Sequence, residues 1–424
     1  MEKYPVNADG KDRIFAAIYF LVGYLFVYVF TEFWNFERNL ALFTVFYAVI
    51  VLLYLWQKGV RPSTESYFWL AIMLSLGLPY GFWSVFPFLQ VIGLIFVAAY
   101  WTLSVSGHLL IRGRTSQYVF FDWWNSIAVV PFCNFTCQFR VLFENNKQDG
   151  EEERKDNQFL SILLGAVIVI PVLLIILPLL SRADAGFESM IGGMLQYITD
   201  HLLMTIVRIL VAIPVASYLY GLIFGSISER NTDRIRKENI EKTGKNVRKI
   251  PDIAVGTVLF VICLVYVIFM AIQGKYLFSA FLGEMPEGFT YAEYARRGFF
   301  ELCQIGAWNL IFLVCAGIFS KTETGKNRMI QILAICLSVL TLMLLMTAAS
   351  KMLLYIWAYG LTVKRVLTMV FMIWMGIVFV CVMIHQKKEI ALVRFCVMAG
   401  AVMFSLLCLF PVEEWIEVYN TWMF

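Results

Sequence analysis

The stretch 290–319, TYAEYARRGFFELCQIGAWNLIFLVCAGIF, joins a polar segment directly to a predominantly apolar run. Its last 21 residues are enough to cross a hydrocarbon core of roughly 30 Å as one α-helix. Thr290 and Glu293 have the spacing of a capping box, so a helix is expected to begin in the polar segment and to continue into the membrane. The stretch therefore predicts a membrane-spanning helix with a charged entry.

The rest of the chain has the same membrane character. Of its 424 residues, 60% are hydrophobic and 15% are charged, against roughly half and a quarter in globular domains. We therefore predict an all-α, polytopic transmembrane helical bundle. The longest polar connections, 140–157 and 225–252, are too short to bury a soluble core, which predicts a single membrane domain over 1–424.

Eleven membrane spans are predicted, within a range of nine to twelve. The first is expected to be retained, because no small-x-small cleavage site follows it. The third is the weakest, since Gly77, Pro79 and Gly81 interrupt it, and it forms with its neighbour either two spans or a re-entrant hairpin. The predicted spans are 14–30, 40–56, 67–83, 86–104, 159–180, 202–224, 253–272, 299–319, 330–348, 366–384 and 390–410.

The distribution of lysine and arginine predicts the orientation of these spans. Of the 34 basic residues, 24 fall in the N-terminal segment and in the loops after the even-numbered spans, and eight fall on the opposite side. This bias is a strong positive-inside signal, so the N-terminus is expected in the cytoplasm and the C-terminus outside. The protein is therefore predicted to be integral to the cytoplasmic (inner) membrane.

Three connecting segments have a character of their own. The first, 105–158, is predicted to be a cytoplasmic interfacial or re-entrant segment followed by a charged loop, because Pro131 prevents a continuous span; an amphipathic plug under the bundle is the alternative. The second, 225–252, is a basic cytoplasmic loop that either lies on anionic lipid or docks a protein partner. The third, 273–298, is an external loop that leads into a transmembrane helix.

Prolines are expected to bend or break the fifth and sixth spans. Pro171 and Pro178 lie in 159–180, and Pro214 lies in 202–224, where each ring removes a backbone donor. Bent neighbouring helices can line a cavity. Ser217, Gly221 and Gly225 form a stripe of small residues that would let another helix come close.

Charged residues at or inside spans are the candidates for chemistry. Arg208 and Arg394 lie within spans, where an ionised side chain is costly and points to function by default; Arg394 is close enough to an end to be an interfacial anchor. Glu293, Arg297 and Glu301 form an acid, base, acid ladder at helical spacing. The ladder is either structural or leaves Glu293 or Glu301 desolvated, which makes these two the weak catalytic candidates.

Motifs of known catalytic or cofactor sites are absent from the sequence. The three histidines fall on both sides of the predicted membrane, and Cys133 and Cys137 lack a second pair, so no metal site is predicted. The other seven cysteines lie in apolar runs and do not form a disulfide framework. No cofactor and no nucleic-acid partner are expected, and the protein is interpreted as non-enzymatic.

Several blocks of the sequence resemble a bacterial membrane-protein family catalogued as domain of unknown function 4173. These blocks are TYAEYARRGFFEL, SKMLLYIWAYGLTVKR and IEVYN, with FFDWWNSIAVVPFCNF and LLSRADAGF as further matches. The resemblance implies a multi-pass membrane protein and carries no established activity. This chain departs from the pattern at Lys351 and Trp357. The characteristic positions by this match are Asp122, Asn125, Pro131, Asp184, Tyr291, Glu293, Tyr294, Arg297, Glu301, Ser350, Tyr355, Tyr359, Gly360, Thr362 and Arg365.

Several of these polar residues are predicted to meet on the external face. The leading hypothesis is a non-enzymatic protein of envelope sensing, regulation or assembly, whose partners are the lipid bilayer and a cytoplasmic or envelope protein at 225–252. The alternatives are a transporter or lipid-handling protein with a cavity near the two bent spans, and a membrane-embedded transferase that uses an external carboxylate. The predicted cluster contains Asp184, Arg208, Tyr291, Glu293, Tyr294, Arg297, Glu301, Ser350, Tyr355, Tyr359 and Arg365.

Overall fold

A computed structural model shows an all-helical chain. It describes residues 9–84, 86–111, 113–143, 203–278, 299–322 and 327–423, together with Val169, Ile176, Leu179 and Leu180. Within these residues, nine helices are long and apolar enough to cross a membrane, and one bent helix pair makes a possible tenth. The predicted all-α, multi-pass membrane architecture is confirmed. The predicted span 159–180 lies almost wholly outside the described residues.

The chain divides into two compact units. Unit 1 comprises Met1–Phe82, Leu94–Gly113 and Asp122–Arg234, and unit 2 comprises Trp83–Gly93, Arg114–Phe121 and Ile235–Phe424. Helices α4 (Pro87–Val105) and α5 (Val119–Trp124) have residues in both. The other helices of unit 1 are α1 (Gly10–Thr31), α2 (Phe36–Lys58), α3 (Thr64–Gly77), α6 (Val130–Cys133), α7 (Cys137–Phe143) and α8 (Leu203–Ile227).

Unit 2 is built around one long helix. Helix α12 (Arg328–Tyr359) packs against α10 (Asp252–Phe278), α11 (Phe299–Phe319) and α13 (Val363–His385), and α13 packs against α14 (Leu392–Leu409). A buried polar chain joins three of these helices, because Tyr266 donates to Asn309 at 2.8 Å and Asn309 donates to Thr341 at 2.8 Å. The helices of unit 2 are α9 (Lys237–Val247), α10 (Asp252–Phe278), α11 (Phe299–Phe319), α12 (Arg328–Tyr359), α13 (Val363–His385), α14 (Leu392–Leu409) and α15 (Val412–Met423).

The predicted third span is replaced by a short helix. Helix α3 has 14 residues and ends at Gly77, before a 3-10 turn over Pro79–Gly81. At 1.5 Å per residue it reaches roughly 21 Å, which is too short for the hydrocarbon core. Gly77 lies against Thr44 of α2, since a Cβ at Gly77 would stand 2.5 Å from the Thr44 Oγ1 atom.

The predicted ninth span ends too early. Helix α12 runs 32 residues to Tyr359, and Lys351, which the sequence placed in an external loop, is a buried residue inside this helix. The apolar text resumes after Lys351 with MLLYIWAY, so a single lysine interrupts the hydropathy without ending the helix. A buried lysine is tolerated when its long stem is packed and its charge is compensated.

Two prolines lie within helical backbone. Helix α8 is continuous through Pro214, so it is not broken there, and a bend at this proline stays a prediction. Pro131 also lies in helical backbone, directly after the π-helix Asn125–Val129. A π-turn changes the local hydrogen-bond ladder, which helps a helix to accept a proline. The helix stops at Cys133 and resumes at Cys137 with a 40° bend, the geometry of a broken span or a re-entrant loop.

Glycines allow the closest helix packing in unit 1. Gly23 of α1 faces α8, where a Cβ would stand 2.7 Å from the carbonyl oxygen of Ala212. Gly221 and Gly225 of α8 lie against residues 130–134, since a Cβ at Gly225 would meet the Asn134 amide and would stand 2.9 Å from Val130 Cγ1. The predicted small-residue stripe is therefore confirmed, and its partner is the segment with the π-helix.

Replacing Gly225 with alanine is expected to destabilise unit 1. The added methyl group would collide with the Asn134 amide and with Val130, and overpacking of this kind costs about 1–3 kcal/mol. Thermal unfolding of the purified protein in detergent measures the effect. Gly244→Ala in α9 is the matched control, because a Cβ there meets no atom within 4 Å. Equal melting temperatures for the two variants would contradict the close packing.

Candidate functional site

A buried ion pair joins α1 to α2 in unit 1. The Asp12 carboxylate is fully buried and accepts hydrogen bonds from Tyr54 at 2.6 Å and from Lys58 at 2.8 Å. Lys58 also lies 3.0 Å from the Asp9 carboxylate, and Tyr220 of α8 donates to the backbone oxygen of Asp12 at 3.2 Å. Because every partner is internal, this cluster is a structural clamp between three helices.

Arg208 forms a second clamp in unit 1. Its guanidinium donates to the hydroxyl of Thr31 at 2.8 Å and to the carboxylate of Glu32 at 2.9 Å. It also lies over the ring of Tyr28, 4.9 Å from the centroid. Arg208 is the intramembrane charge that sequence reasoning marked as a functional candidate. In the structure it binds residues at the C-terminal end of α1.

The Arg208 clamp predicts a measurable coupling between its two ions. Arg208→Ala and Glu32→Ala should each destabilise the protein by about 1–3 kcal/mol, because each leaves a charged, partly buried group without its hydrogen bond. The double variant should cost clearly less than the sum of the two single variants. Thermal or chemical unfolding of the four proteins in detergent completes this cycle. Additive costs would show that the ion pair contributes no stability.

A network of amides holds the α8 end against the π-helix segment. The Asn134 side chain donates to the carbonyls of Val130 at 2.9 Å and Arg230 at 3.0 Å, and it accepts from Asn231 at 2.9 Å. Asn231 has a positive φ of 61°, a conformation that asparagine tolerates better than most residues. Gln138 extends the network by donating to the backbone oxygen of Ala16 at 2.8 Å.

Asp122 and Asn125 lie beside this network with unmatched oxygens. Asp122 is fully buried; one carboxylate oxygen accepts from the backbone N–H of Leu110 at 2.7 Å. Its other oxygen, and the side-chain oxygen of Asn125, have no donor among the described residues. Asn125 donates to the carbonyl of Thr232 at 3.3 Å. An unmatched buried carboxylate oxygen destabilises the fold unless it is protonated or gains a donor.

Asp122→Asn is therefore expected to leave the melting temperature unchanged or to raise it. The amide keeps an oxygen for the Leu110 N–H and adds a donor one helical turn from the Asn125 oxygen. Asp122→Leu should lower stability by about 1–3 kcal/mol, since it orphans the buried N–H of Leu110. A melting temperature lower for Asp122→Asn than for Asp122→Leu would show that the carboxylate itself is required.

In unit 2, part of the predicted external cluster comes together with the C-terminal tail. The Arg365 guanidinium lies 4.0 Å over the ring of Tyr355 and donates to the backbone oxygens of Tyr359, at 3.1 Å, and Gly360. The Asn420 side chain accepts from the N–H of Leu361 at 2.7 Å and donates to its carbonyl at 3.0 Å. Gly360 has a φ of 74° and leaves no room for a Cβ beside Asn420.

The remaining residues of the predicted cluster divide into described and undescribed positions. Among the described residues, the Ser350 hydroxyl donates to the backbone oxygen of Thr347 in its own helix, at 2.8 Å. Glu301 is exposed in the first turn of α11 and interacts electrostatically with Lys351. Outside the described residues lie Asp184, Tyr291, Glu293, Tyr294 and Arg297.

Unit 1 contains an apolar cavity beside Pro214. Its volume is about 410 Å³, within the range of ligand pockets. Aromatic and aliphatic side chains from α1, α2, α4 and α8 surround it, with Thr44, Tyr47 and Tyr218 as the polar residues. The hydroxyl of Tyr47 is shared with Thr102 at 2.8 Å, and Tyr218 donates to the carbonyl of Ile127 at 2.7 Å. The polar groups at this cavity are therefore already matched.

Unit 2 contains a cavity of about 430 Å³ with two chemically different ends. Its body lies among α11, α12, α13 and α14 and is apolar, with Trp374 donating its indole N–H to the carbonyl of Cys396 at 2.9 Å. Its other end is polar and lies where α11 and α13 end and α12 and α14 begin. The polar lining residues are Gln117, Ser320, Thr322, Asn327, His385 and Gln386.

Asp252 organises one wall of the polar end. Its carboxylate accepts hydrogen bonds from Ser320 at 2.7 Å, from Asn327 at 2.9 Å, and from both the backbone N–H and the hydroxyl of Thr322. A short backbone bridge pairs Ile250 with Ser320 beside it. Asp252 therefore holds the segment after α11 and the start of α12 in fixed positions.

His385 and Gln386 form the opposite wall and keep polar atoms unmatched. Gln386 is 8% exposed, and its side-chain oxygen has no partner among the described residues. The Nδ1 atom of His385 is likewise buried without a described partner. Gln331 donates to the backbone oxygen of Gln386 at 2.7 Å, which anchors the end of α13. Unmatched polar atoms at a cavity wall can be satisfied by a ligand or by bound water.

Comparison with protein families identifies one match. The family model described as domain of unknown function DUF4153 matches residues 68–424. The chain belongs to the DUF4153 family. The predicted membership of the family of domain of unknown function 4173 is therefore wrong. The prediction that the chain belongs to a family of unknown function is confirmed. No curated protein matches the chain, and no solved structure matches it either.

The DUF4153 match contains the whole unit 2 cavity and only part of the unit 1 clamps. It begins at residue 68, after Asp12, Glu32 and Lys58. Sequence reasoning missed His385 and Gln386, because it considered the three histidines only as metal ligands and expected them on both sides of the membrane. The available signal was a His-Gln pair between an apolar run and two lysines, a polar boundary directly at a helix end.

Proposed function

We propose that this DUF4153 member is a non-enzymatic membrane protein that binds a lipid in the unit 2 cavity. The observation that supports this function is the combination of an apolar body with a polar end that holds unmatched atoms of His385 and Gln386. A lipid offers both an acyl chain and a hydrogen-bonding headgroup, so its two parts fit the two ends. The proposal develops the lipid-handling alternative that the sequence left open.

The depth of the cavity is consistent with one membrane leaflet. Along α13 its lining runs from Trp374 to His385, which is 11 residues or roughly 16 Å at 1.5 Å per residue. Half of a hydrocarbon core of roughly 30 Å is a similar length. An acyl chain that enters from one leaflet would therefore reach Trp374 while its headgroup stays at the polar end.

The orientation inferred from the basic loops places this headgroup at the cytoplasmic leaflet. Lys321 follows α11 and Lys387 follows α13, and both belong to loops on the lysine- and arginine-rich side of the chain. We propose on this basis that the N-terminus is cytoplasmic and that the protein lies in the inner membrane of a bacterium.

The polar contacts of the other sites favour lipid binding over transfer chemistry or polar transport. Arg208 is engaged by Glu32 and Thr31, and Arg365 is engaged by Tyr355 and two carbonyl oxygens. Charges that satisfy each other act as clamps, and a transferase needs a carboxylate within reach of its substrate. In this proposal the described charged clusters hold helix ends and the cavity carries the function.

Helix α9 in the basic segment 225–252 offers a route for regulation. Its Glu241 accepts a hydrogen bond from Tyr118 at 2.9 Å and lies 3.6 Å from Lys237. Burial, and then the charge of Glu241, raise the pKa of Tyr118 above its ordinary value. If the protein is a sensor, we propose that a cytoplasmic partner binds the exposed helix α9 within this basic segment.

Filling the unit 2 cavity is expected to reduce lipid binding. Val382 lines the cavity and is 5% exposed, so Val382→Trp should lower the phospholipid retained by the purified protein at least threefold. Native mass spectrometry from mild detergent counts the bound lipid. Val380→Trp is the matched control on the same helix, because Val380 is 42% exposed and does not line the cavity.

Two results would contradict the proposed function. One is a wild-type protein that retains no phospholipid under conditions in which its helices remain folded. The other is equal lipid retention by the Val382→Trp and Val380→Trp proteins. A lipid bound outside the cavity would not be affected by whether the new tryptophan fills the cavity. Circular dichroism and gel filtration of both variants show that a loss of lipid is not a loss of fold.

A further inference from the structure

Four exposed basic residues are direct sequence neighbours of residues that line the polar end of the unit 2 cavity. Lys321 lies between Ser320 and Thr322, and Arg328 follows Asn327. Lys387 and Lys388 follow Gln386 directly. Within the described part of the chain none of the four forms an ion pair, and all four are exposed. We call Lys321, Arg328, Lys387 and Lys388 the basic rim.

The acids near the basic rim do not balance it. Asp252 is the carboxylate beside the polar end, and its oxygens are occupied by Ser320, Thr322 and Asn327. Glu389 is the exposed acid that follows the rim. Among the described residues the polar end therefore combines four cations with two acids, one of which is already held by four hydrogen bonds. The excess positive charge favours a negatively charged ligand.

We propose that the lipid in the unit 2 cavity has an anionic phosphate headgroup, held by the basic rim and by His385 and Gln386. This inference rests on the proposed function and specifies the class of lipid. Basic residues next to a membrane attract anionic lipids over a Debye length, so the rim draws the headgroup to the cavity mouth. The two unmatched side chains then supply short-range hydrogen bonds inside it.

The hydrogen-bonding chemistry of His385 and Gln386 fits a phosphate headgroup that also carries hydroxyl groups. An imidazole with its proton on Nδ1 donates one hydrogen bond from that atom, whereas the unmatched atom of Gln386 is its side-chain oxygen, which accepts. Phosphate oxygens accept from the imidazole N–H, and a headgroup hydroxyl, such as those of phosphatidylglycerol, donates to the Gln386 oxygen. A phosphatidylcholine headgroup carries the same phosphate but adds a quaternary ammonium cation beside the four cations of the basic rim, which is unfavourable.

The test compares two phospholipids that have the same acyl chains and different headgroups. The full-length protein in mild detergent is offered dioleoylphosphatidylglycerol and dioleoylphosphatidylcholine at equal concentration, and native mass spectrometry counts each bound lipid. The wild type is expected to retain the phosphatidylglycerol about tenfold more than the phosphatidylcholine. The quadruple variant Lys321→Gln, Arg328→Gln, Lys387→Gln and Lys388→Gln should reduce this preference to about twofold.

A matched variant separates the rim from the general charge of the protein. Arg236→Gln, Lys237→Gln, Lys242→Gln and Lys245→Gln remove the same charge from α9 and its N-cap, and none of these residues lines the cavity. This variant should keep the tenfold preference. Gln386→Leu tests the inner contact, and it should weaken retention of phosphatidylglycerol while leaving the small retention of phosphatidylcholine unchanged.

Each contrary outcome contradicts a different part of the proposal. Equal retention of the two lipids by the wild type overturns the anionic headgroup and leaves lipid binding supported. Equal loss of preference in the rim and α9 variants overturns the rim as the recognition element. Displacement of phosphatidylglycerol by an equal concentration of sn-glycerol 3-phosphate assigns the site to a soluble phosphate ester and overturns the lipid source. Retention of neither lipid overturns the proposed function itself.

Discussion

Polar groups inside a membrane must find their partners within the protein, because the hydrocarbon core offers none. The strongest contacts of both units follow this constraint. In unit 1 the buried carboxylate of Asp12 is matched by Tyr54 and Lys58. In unit 2 the amide of Asn309 joins Tyr266 to Thr341. Each contact ties together helices that apolar packing alone would leave free to slide, since lipid is as apolar as the helix surfaces.

The same constraint makes unmatched polar atoms informative. Several described residues keep a buried polar atom without a hydrogen-bond partner, and among them His385 and Gln386 line a cavity with an apolar body. Asp122 is another such residue, but it is fully buried and lines neither of the two cavities described above. Cavity and unmatched atoms occur together in unit 2, and this is why the functional proposal is placed there.

Sequence reasoning succeeded where one local property decides the structure. Helices such as Phe36–Lys58 and Val363–His385 were predictable because a long apolar run must be helical in lipid. It failed where two properties compete. Lys351 suggested a helix end, whereas the packing of its stem inside α12 decided otherwise. The short α3 was ambiguous, since its end depends on how closely Gly77 approaches Thr44 of another helix.

Contacts between distant residues were beyond the reach of local patterns. The pairing of Asn134 with Asn231 depends on the approach of Gly225 to residues 130–134. Side chains from four helices line the unit 2 cavity, so it could not be predicted without knowing how these helices pack. Arg208 was correctly marked as unusual, but its partner Glu32 is 176 residues away and looked like an ordinary loop acid. Whether a charged side chain in a membrane is structural or functional depends on its partner. A hydropathy pattern does not identify that partner.

The packing of α1 on α8 has a consequence for biogenesis. Roughly 170 residues separate the two helices, so a ribosome that adds 5–20 residues per second needs roughly 10 to 35 s to supply α8 after α1. During that interval Gly23 and the acceptor atoms of Thr31 and Glu32 await their partners. Until the later helix is inserted, these groups of α1 lack their native partners, and a polar group without a partner in lipid is costly.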